Sequence, residues 1–303
     1  MNATSQRLLE VLSELAALTG AYSVREDGQC VARQSTEHIR ITSQQGRPGL
    51  TVRVSPACQG EKVFIPACVT HGDVDDLVYN DFYIGAGADV TIVAGCGVHT
   101  DEGDARHNGI HRFFLEPGAH VLYEEKHIGE GTGEGLRVID PVTEATLQRD
   151  AVLEMDTQQL SGVDRTLRKT RATLHEGAKL KIRERLLTEA EQIAHTEFDV
   201  ELLGAGAGVD LVSRSVARGS SRQSYRSRIV GHAPCTGHSA CDAIIDGEAS
   251  VDATPELYAH HADASLIHEA AIGKIAGEQI LKLRTLGLTE QQAEEKIIAG
   301  FLK

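Results

Sequence analysis

Tryptophan is absent from this 303-residue chain, and phenylalanine and tyrosine supply only six residues each. Base-stacking platforms depend on aromatic rings, so this composition argues against a single-stranded nucleic-acid surface. The same scarcity argues against the sugar-stacking surface of a carbohydrate-active enzyme. Positive charge is also short: 30 Lys and Arg stand against 44 Asp and Glu, a formal charge of −14. Neutralising phosphates needs clustered cations, which this balance does not favour. No run of 18 apolar residues occurs, so a membrane-spanning helix is not expected. The opening Met1-Asn-Ala-Thr-Ser-Gln-Arg7 lacks the basic region and apolar core of a signal peptide. Gly273-Lys274 is followed by Ile275, and no glycine stands five residues before Gly273, so a P-loop is excluded and this chain is expected to bind no nucleotide. A Gly-x-Ser-x-Gly elbow is missing as well.

Six cysteines are present, at 30, 58, 68, 96, 235 and 241. Without a secretion signal they read as reduced thiols in the cytoplasm, suited to metal or sulfur chemistry rather than disulfides.

The middle of the chain is periodic. Gly-Ala steps occur at Gly87-Ala88, Gly118-Ala119, Gly177-Ala178 and Gly206-Ala207, with degenerate copies at Glu144-Ala145 and Glu248-Ala249. A repeat near 30 residues marks a unit that buries its apolar face by stacking on its neighbours. Each unit reads as strand, tight turn, strand, with Gly supplying the positive φ and Ala allowing close stacking. The segments from Ala178 and from Gly208 alternate apolar and polar residues with the period of half-buried strands. No helical segments separate them, so a βαβ sheet is not expected. A parallel β-helix fits best, and a β-sandwich is second.

The ends differ from the middle. Ser5 to Leu18 places Leu8, Leu9, Leu12, Leu15 and Ala16 on one helical face, with Thr4 or Ser5 as N-cap and Gly20 as terminator. Glu278 to Leu286 reads as a helix stopped by Gly287. Thr289-Glu-Gln-Gln292 is a capping box opening a last helix through Leu302. The chain thus divides into an N-terminal helical segment 1–25, a β-helix core 26–272 and a C-terminal helical segment 273–303. The glycine-rich, acidic stretch Gly129–Gly135 reads as a mobile loop.

Several residues could carry chemistry. His268-Glu269 sits in an apolar stretch, where an ionisable pair is costly unless satisfied or used. Strand alternation puts Leu266, His268 and Ala270 on one face and Ile267 and Glu269 on the other, both apolar enough to be covered, as at a subunit interface. His232, Cys235, His238 and Cys241 fall three residues apart and are all competent metal ligands. A straight strand would send alternate members to opposite faces, so convergence would need a loop at Pro234 and Gly237. His107 and His111 lie at a loop–strand junction, where a metal role competes with satisfying backbone groups. Cys96 follows a strand in Val93-Ala-Gly-Cys-Gly-Val98; a thiolate there would be a nucleophile or a soft iron ligand, and a thiol would simply pack.

The stretch Ser265-Leu-Ile-His-Glu-Ala-Ala-Ile-Gly-Lys-Ile-Ala-Gly-Glu-Gln279, with Gly287-Leu-Thr-Glu and Ala299-Gly-Phe301, resembles the end of the SufB/SufD family. These are the scaffold proteins of the SUF iron–sulfur assembly system. The resemblance spans roughly residues 50–303 and is densest from Arg222 to Phe301. It implies a right-handed parallel β-helix flanked by a short N-terminal helix and a C-terminal helical hairpin. It also implies a non-enzymatic scaffold that assembles or passes on a transient iron–sulfur cluster beside a SufC-like ABC ATPase. The ATPase would dock on the C-terminal helices, through Ile280, Leu283, Ile297 and Phe301. The edge near residues 240–270 would pair with an identical or related protomer, with the nascent cluster there.

Residue by residue, Cys96 matches the family's Glu-Gly-Cys segment, though the Ala-Pro that follows it is replaced. Cys241-Asp-Ala-Ile-Ile matches the family's Cys-Asp-Ser/Ala-Leu-Leu strand, and His268 matches the histidine implicated in both branches. Glu269 is SufB-like. The SufB cysteine six residues before the proline is Ala249 here, counted from Pro255. That departure favours a second reading, a structural paralogue that supports ATPase docking without holding a cluster.

Overall fold

The computed structural model describes residues 2–13, 19–131 and 133–303. Its body is a β-solenoid built from two ten-stranded sheets. From the fifth strand on, the chain alternates between them, so each coil gives one strand to each sheet. The first sheet runs through β1 (Ala21–Glu26), β5 (Gln59–Val69), β7 (Asp89–His99), β9 (His120–Glu130), β12 (Val152–Ser161), β14 (Lys179–Thr188), β16 (Gly208–Ala217), β18 (Thr236–Ile245) and β20 (Ser265–Gly273), with β2 (Gln29–Gln34) at its start. The second runs from β3 (Ile39–Ser43) and β4 (Gly49–Val54) through β6 (Val74–Ile84), β8 (Ala105–Leu115), β10 (Arg137–Ile139) with β11 (Val142–Leu147), β13 (Arg165–Leu174), β15 (Ile193–Leu202) and β17 (Arg222–Gly231) to β19 (Ser250–Ala259). β10 and β11 occupy one coil, split at Asp140-Pro141, because proline cannot donate to the ladder. β1 lies across the boundary drawn at residue 25 from the sequence.

The coils stack parallel and in register, and the core is the space between the sheets. Alternate residues of each strand point inward, as in β8, where every second residue is buried. Phe82 stacks on Phe113 one coil on, their ring centroids 4.6 Å apart. Each large apolar side chain buried this way contributes about 1.5–3 kcal/mol.

One corner of the solenoid explains the sequence repeat. The turns entering the first sheet carry Cys58, Ala88, Ala119, Ala151, Ala178, Ala207, Cys235 and Ala264, at intervals of 27–32 residues. All but Ala264 are buried. Successive turns bond through their backbones, as from Gly118 N–H to Arg149 O and from Gly177 N–H to Ala205 O. Two assignments from the sequence are corrected. Ala145 lies within β11, and the corner of that coil is Ala151, reached through Asp150 at φ 58°. Ala249 belongs to the opposite corner, after Gly247. Cys58 and Cys235 occupy the small-residue position of the ladder.

The two ends of the solenoid are finished differently. At the N-terminal end the hairpins β1–β2 and β3–β4 pair antiparallel and place short strands at both sheet edges. Helix α1 (Ala3–Ser13) lies against β5, β7 and β9. Its cap is Asn2, whose Oδ1 accepts from the Ser5 N–H at 2.8 Å, while the Ser5 hydroxyl turns to Glu26 at 2.6 Å. This corrects the expected cap at Thr4 or Ser5; Leu15, Ala16 and Leu18 lie outside the described residues. Gly131, Gly133 and Gly135 press against the backbone of residues 100–103, and Gly129 against Gly162, while Thr132 is also outside the described residues. A Cβ at Gly133 or Gly135 would come within 1.7 Å of a carbonyl oxygen, so close packing accounts for these glycines.

At the C-terminal end, β19 and β20 are full-length edge strands. Beyond them come α2 (Gly277–Thr285) and α3 (Glu290–Phe301), which pack on each other. Thr289 and Gln292 form the expected capping box, and Gly287 adopts φ 93° between the helices.

Candidate functional site

β20 is the last strand of the first sheet, and its period of two decides what faces the solenoid interior. His268 points inward and its Nδ1 lies 3.2 Å from the Ser239 hydroxyl on β18. Ser239 in turn meets the hydroxyls of Tyr225 and Ser227, each at 2.9 Å, from the opposite sheet. Burial lowers the His268 pKa, and neighbouring His238 adds to this, which favours a neutral imidazole able to donate an electron pair. Cys241, two residues beyond Ser239, faces the same interior and pairs with Ala270. One strand spacing and two residues of rise put the Cα atoms of His268 and Cys241 about 8 Å apart. Glu269 points to the outer face and is exposed.

Cys241 is almost fully buried, and its thiol is pushed up to about 12 by burial, with Glu184 adding to it. It is therefore a neutral thiol at rest, one coil beneath the open end. Thiolate chemistry there requires a metal or an exposed state to draw off the proton.

From Cys241 inward, the solenoid holds a chain of buried polar groups. Glu184 accepts from Ser213 at 2.7 Å and Thr196 at 2.9 Å and lies 3.4 Å from the Arg168 guanidinium. Arg168 donates to Glu125 at 2.5 Å and approaches His127 at 3.3 Å. Burial works against the charged Glu125 carboxylate, but Arg168 and His127 outweigh it and hold the pKa well below the usual range. Tyr123 donates to Glu125 at 2.7 Å, so His111 must donate its Nδ1–H to the Tyr123 oxygen at 2.6 Å. His111 Nε2 then accepts from Asn80 at 3.2 Å, and burial lowers its pKa to about 4. Beyond it, His107 meets Asp76 at 3.1 Å, and Asp76 binds Arg25 at 2.6–3.0 Å. Burial would raise the Asp76 pKa, but bonds from His107 and Arg25 bring it far below normal. Sequence reasoning missed Tyr123, Glu125, Arg168 and Glu184. Their signal was parity: Tyr123, Glu125 and His127 share the inward-facing positions of β9 with Val121.

The remaining candidates are dispersed. Cys96 faces the interior of β7, flanked by Gly95 and Gly97, whose missing side chains make room for Leu12 and Leu8 of α1. Its thiol is buried, and that burial raises its pKa well above the ordinary cysteine value. Five strand steps of about 4.8 Å separate it from Cys241, about 24 Å along the sheet. The spaced quartet does not converge. His232 binds Glu201 at 2.5 Å and His238 binds Asp210 at 2.7 Å, both at the surface, while Cys235 sits in the corner ladder. Among the described residues no group of three or more His, Cys, Asp or Glu is placed to hold a metal ion. His107 is buried and taken up by Asp76. Ile280, Leu283, Ile297 and Phe301 are half-buried in the helical hairpin, while Leu281 and Leu286 are 61% and 75% exposed.

Among the described residues no helix is long and apolar enough to cross a membrane. Comparison with known proteins gives one consistent result. The family profile described as SUF system FeS cluster assembly, SufBD core domain, matches residues 79–301. An iron–sulfur cluster assembly SufBD family protein of Methanothermobacter thermautotrophicus is 27% identical over 264 residues, covering 84% of this chain and 62% of the relative. One from Archaeoglobus fulgidus is 27% identical over 276 residues, covering 89% of this chain and 72% of the relative. A shorter match to a SufBD family protein of Methanocaldococcus jannaschii is 34% identical over 113 residues, 37% of this chain and 36% of the relative. The chain therefore spans a little under two thirds of the Methanothermobacter relative.

Proposed function

This chain belongs to the SufBD family of iron–sulfur cluster assembly proteins, and from that premise we propose that it is a non-enzymatic scaffold on which clusters are built or passed on. The observation that carries the proposal is the pairing of His268 with the Ser239 hydroxyl at the open end, one coil above Cys241. The cluster is cargo, held briefly between two protomers, with the inward-facing His268 and Cys241 as ligands; Glu269 faces outward and does not join them. Mixed nitrogen and sulfur ligation holds a cluster less firmly than four thiolates would, which suits handover.

The partner protomer joins through β19 and β20. Both are long, parallel edge strands with exposed Tyr258, Ile267 and Ile272, whereas short antiparallel strands blunt the other end. An open edge of this kind favours a second sheet edge as its cover. ATP hydrolysis falls to a SufC-like ABC ATPase seated on the helical hairpin, where Leu281 and Leu286 supplement Ile280, Leu283, Ile297 and Phe301.

A second reading has its own support: Cys241 is buried as a neutral thiol, and Ala249 stands at the SufB cysteine position. In that reading the chain supports the ATPase and holds no cluster. Anaerobic reconstitution with iron and sulfide, followed by absorption spectroscopy and transfer to an apo-ferredoxin, separates the two. The scaffold reading expects a visible chromophore that moves to the ferredoxin; a colourless protein favours the paralogue.

A further inference from the structure

The two hairpins that blunt the N-terminal end of the solenoid enclose a cavity of about 180 Å³, at the end opposite His268. Arg25, Arg33 and Arg47 line it, and no carboxylate side chain is among its lining residues. In a chain of formal charge −14 this is a cationic enclosure. Its charges are unequally spent. Arg25 is held bidentate by Asp76. Arg47 lies 3.4 Å from Asp81, but Arg112 already grips both oxygens of that carboxylate at 2.6–2.7 Å. Arg33 touches the hydroxyls of Ser43 and Ser23 and the thiol of Cys30, and it has no carboxylate partner among the described residues. His111, its pKa lowered by burial to about 4, adds no charge near neutrality. Arg33 is thus a half-buried guanidinium without a counter-ion facing a cavity, and such a group binds anions.

The cations are held in place before any ligand arrives. Arg33 on β2 donates to Ser43 at the end of β3 at 2.9 Å, and the next residue, Gln44, accepts from the Arg47 Nε. The Arg47 guanidinium also lies over the Tyr79 ring, 4.3 Å from its centroid. Two like charges are therefore fixed on one half-exposed rim, a strain that an anion between them relieves. Behind the rim the wall changes character. Ile65, Ala67, Val78, Ala94 and the neutral Cys96 thiol are buried there. An inorganic ion would occupy the rim and leave this apolar wall bare, whereas a ligand with a short hydrocarbon body covers it. Pockets for drug-sized ligands begin at about 300 Å³, so this cavity admits only a smaller molecule.

We propose that this cavity binds a short aliphatic carboxylate, with its head on Arg33 and Arg47 and its hydrocarbon body against Ile65, Val78 and Ala94. The carboxylate accepts charge-assisted bonds from the two guanidinium groups, in an enclosure where low local polarity strengthens them. Arg33 belongs to the β1–β2 hairpin and Arg47 to the turn of the β3–β4 hairpin. The bound ligand therefore joins the two hairpins and fastens the closed end of the solenoid. No covalent bond is made or broken. The site is independent of the cluster reading, because it stands at the other end of both sheets from β19 and β20.

The test titrates the full chain with acetate, butanoate, pentanoate, pentanamide and inorganic phosphate by calorimetry, and maps amide hydrogen exchange by mass spectrometry. Pentanoate is expected to bind, with each CH₂ from acetate to pentanoate tightening binding about fourfold. Pentanamide, the uncharged analogue, should not bind, and phosphate should bind more weakly than pentanoate. Exchange should slow in residues 29–34 and 43–50 when pentanoate is added. Arg33→Gln should weaken pentanoate about tenfold or more, the loss of one charge-assisted bond. Arg33→Lys should recover part of this, and Arg183→Gln, on the exposed face of β14, should change nothing, each with an unchanged circular dichroism spectrum. No binding of pentanoate to the parent would overturn the proposal. So would phosphate binding as tightly as pentanoate, which marks a plain ion site, or protection that falls outside the two hairpins. If Arg33→Gln fails to fold, the chain-length series and the exchange map of the parent decide. Cluster reconstitution reads the other end separately: a colourless protein that still binds pentanoate rejects the scaffold and keeps the cavity.

Discussion

Arg168 is the cation that keeps two carboxylates, Glu125 and Glu184, inside the solenoid. Replacing it with methionine would preserve much of the volume but strand both acids. Arg168→Met should therefore cost about 3–5 kcal/mol, read as a lower denaturant midpoint at unchanged m-value; a loss under about 1 kcal/mol would contradict this account of the interior. His111 sets a pH dependence of definite sign. Its folded pKa of about 4 lies below the ordinary histidine value near 6.5, so protons favour the unfolded chain. Its contribution is complete above about pH 6.5 and falls away as pH descends to about 4, by about 3 kcal/mol in all. Burial lowers His127 in the same direction. Urea unfolding between pH 7 and 4.5 should show this slope, and His111→Gln should flatten it. At this scale the sequence was partly legible. His268, Glu269 and Cys241 stood out by their surroundings, and strand alternation placed His268 and Glu269 on opposite faces. Glu125 and Arg168 did not stand out, because a charged residue in a half-polar strand looks solvated until the inward parity is known.

At the scale of elements, the alternating strands and the C-terminal capping box were readable from spacing. The corners were readable only where a Gly-Ala step marked them. Asp150-Ala151 serves the same turn without glycine, and Cys58 and Cys235 replace the alanine, so the ladder hid two cysteines among the candidates for chemistry. The hairpin of α2 and α3 buries little, chiefly Ala293 and Ile298, and leaves Leu281 and Leu286 to solvent. Deleting Gly287–Lys303 should abolish co-purification with the ATPase while the β signal in circular dichroism persists. Undiminished co-purification would place the docking surface elsewhere.

Across the whole molecule, the two ends of the solenoid are chemically distinct. One is blunted by hairpins and opens on a cationic cavity beside Cys96; the other exposes two edge strands and His268. The stacked-coil architecture was legible in the near-30-residue period, whereas the asymmetry of its ends was not, since only the pairing shows β2 and β3 turning antiparallel. If β19 and β20 are the meeting edge, light scattering at micromolar concentration should report a dimer, or a heterodimer with a related scaffold, and a persistent monomer would count against it. A cluster site at the open end is tested most directly by cluster content after anaerobic reconstitution, measured as iron and sulfide per dimer for the parent, His268→Ala, Cys241→Ala and Cys96→Ala proteins. His268→Ala and Cys241→Ala are expected to lose most of the bound iron with thermal unfolding little changed. Cys96→Ala, about 24 Å from the open end, should retain its iron when sulfide is supplied directly. Full iron content in both the His268→Ala and Cys241→Ala proteins would contradict a cluster site at the open end.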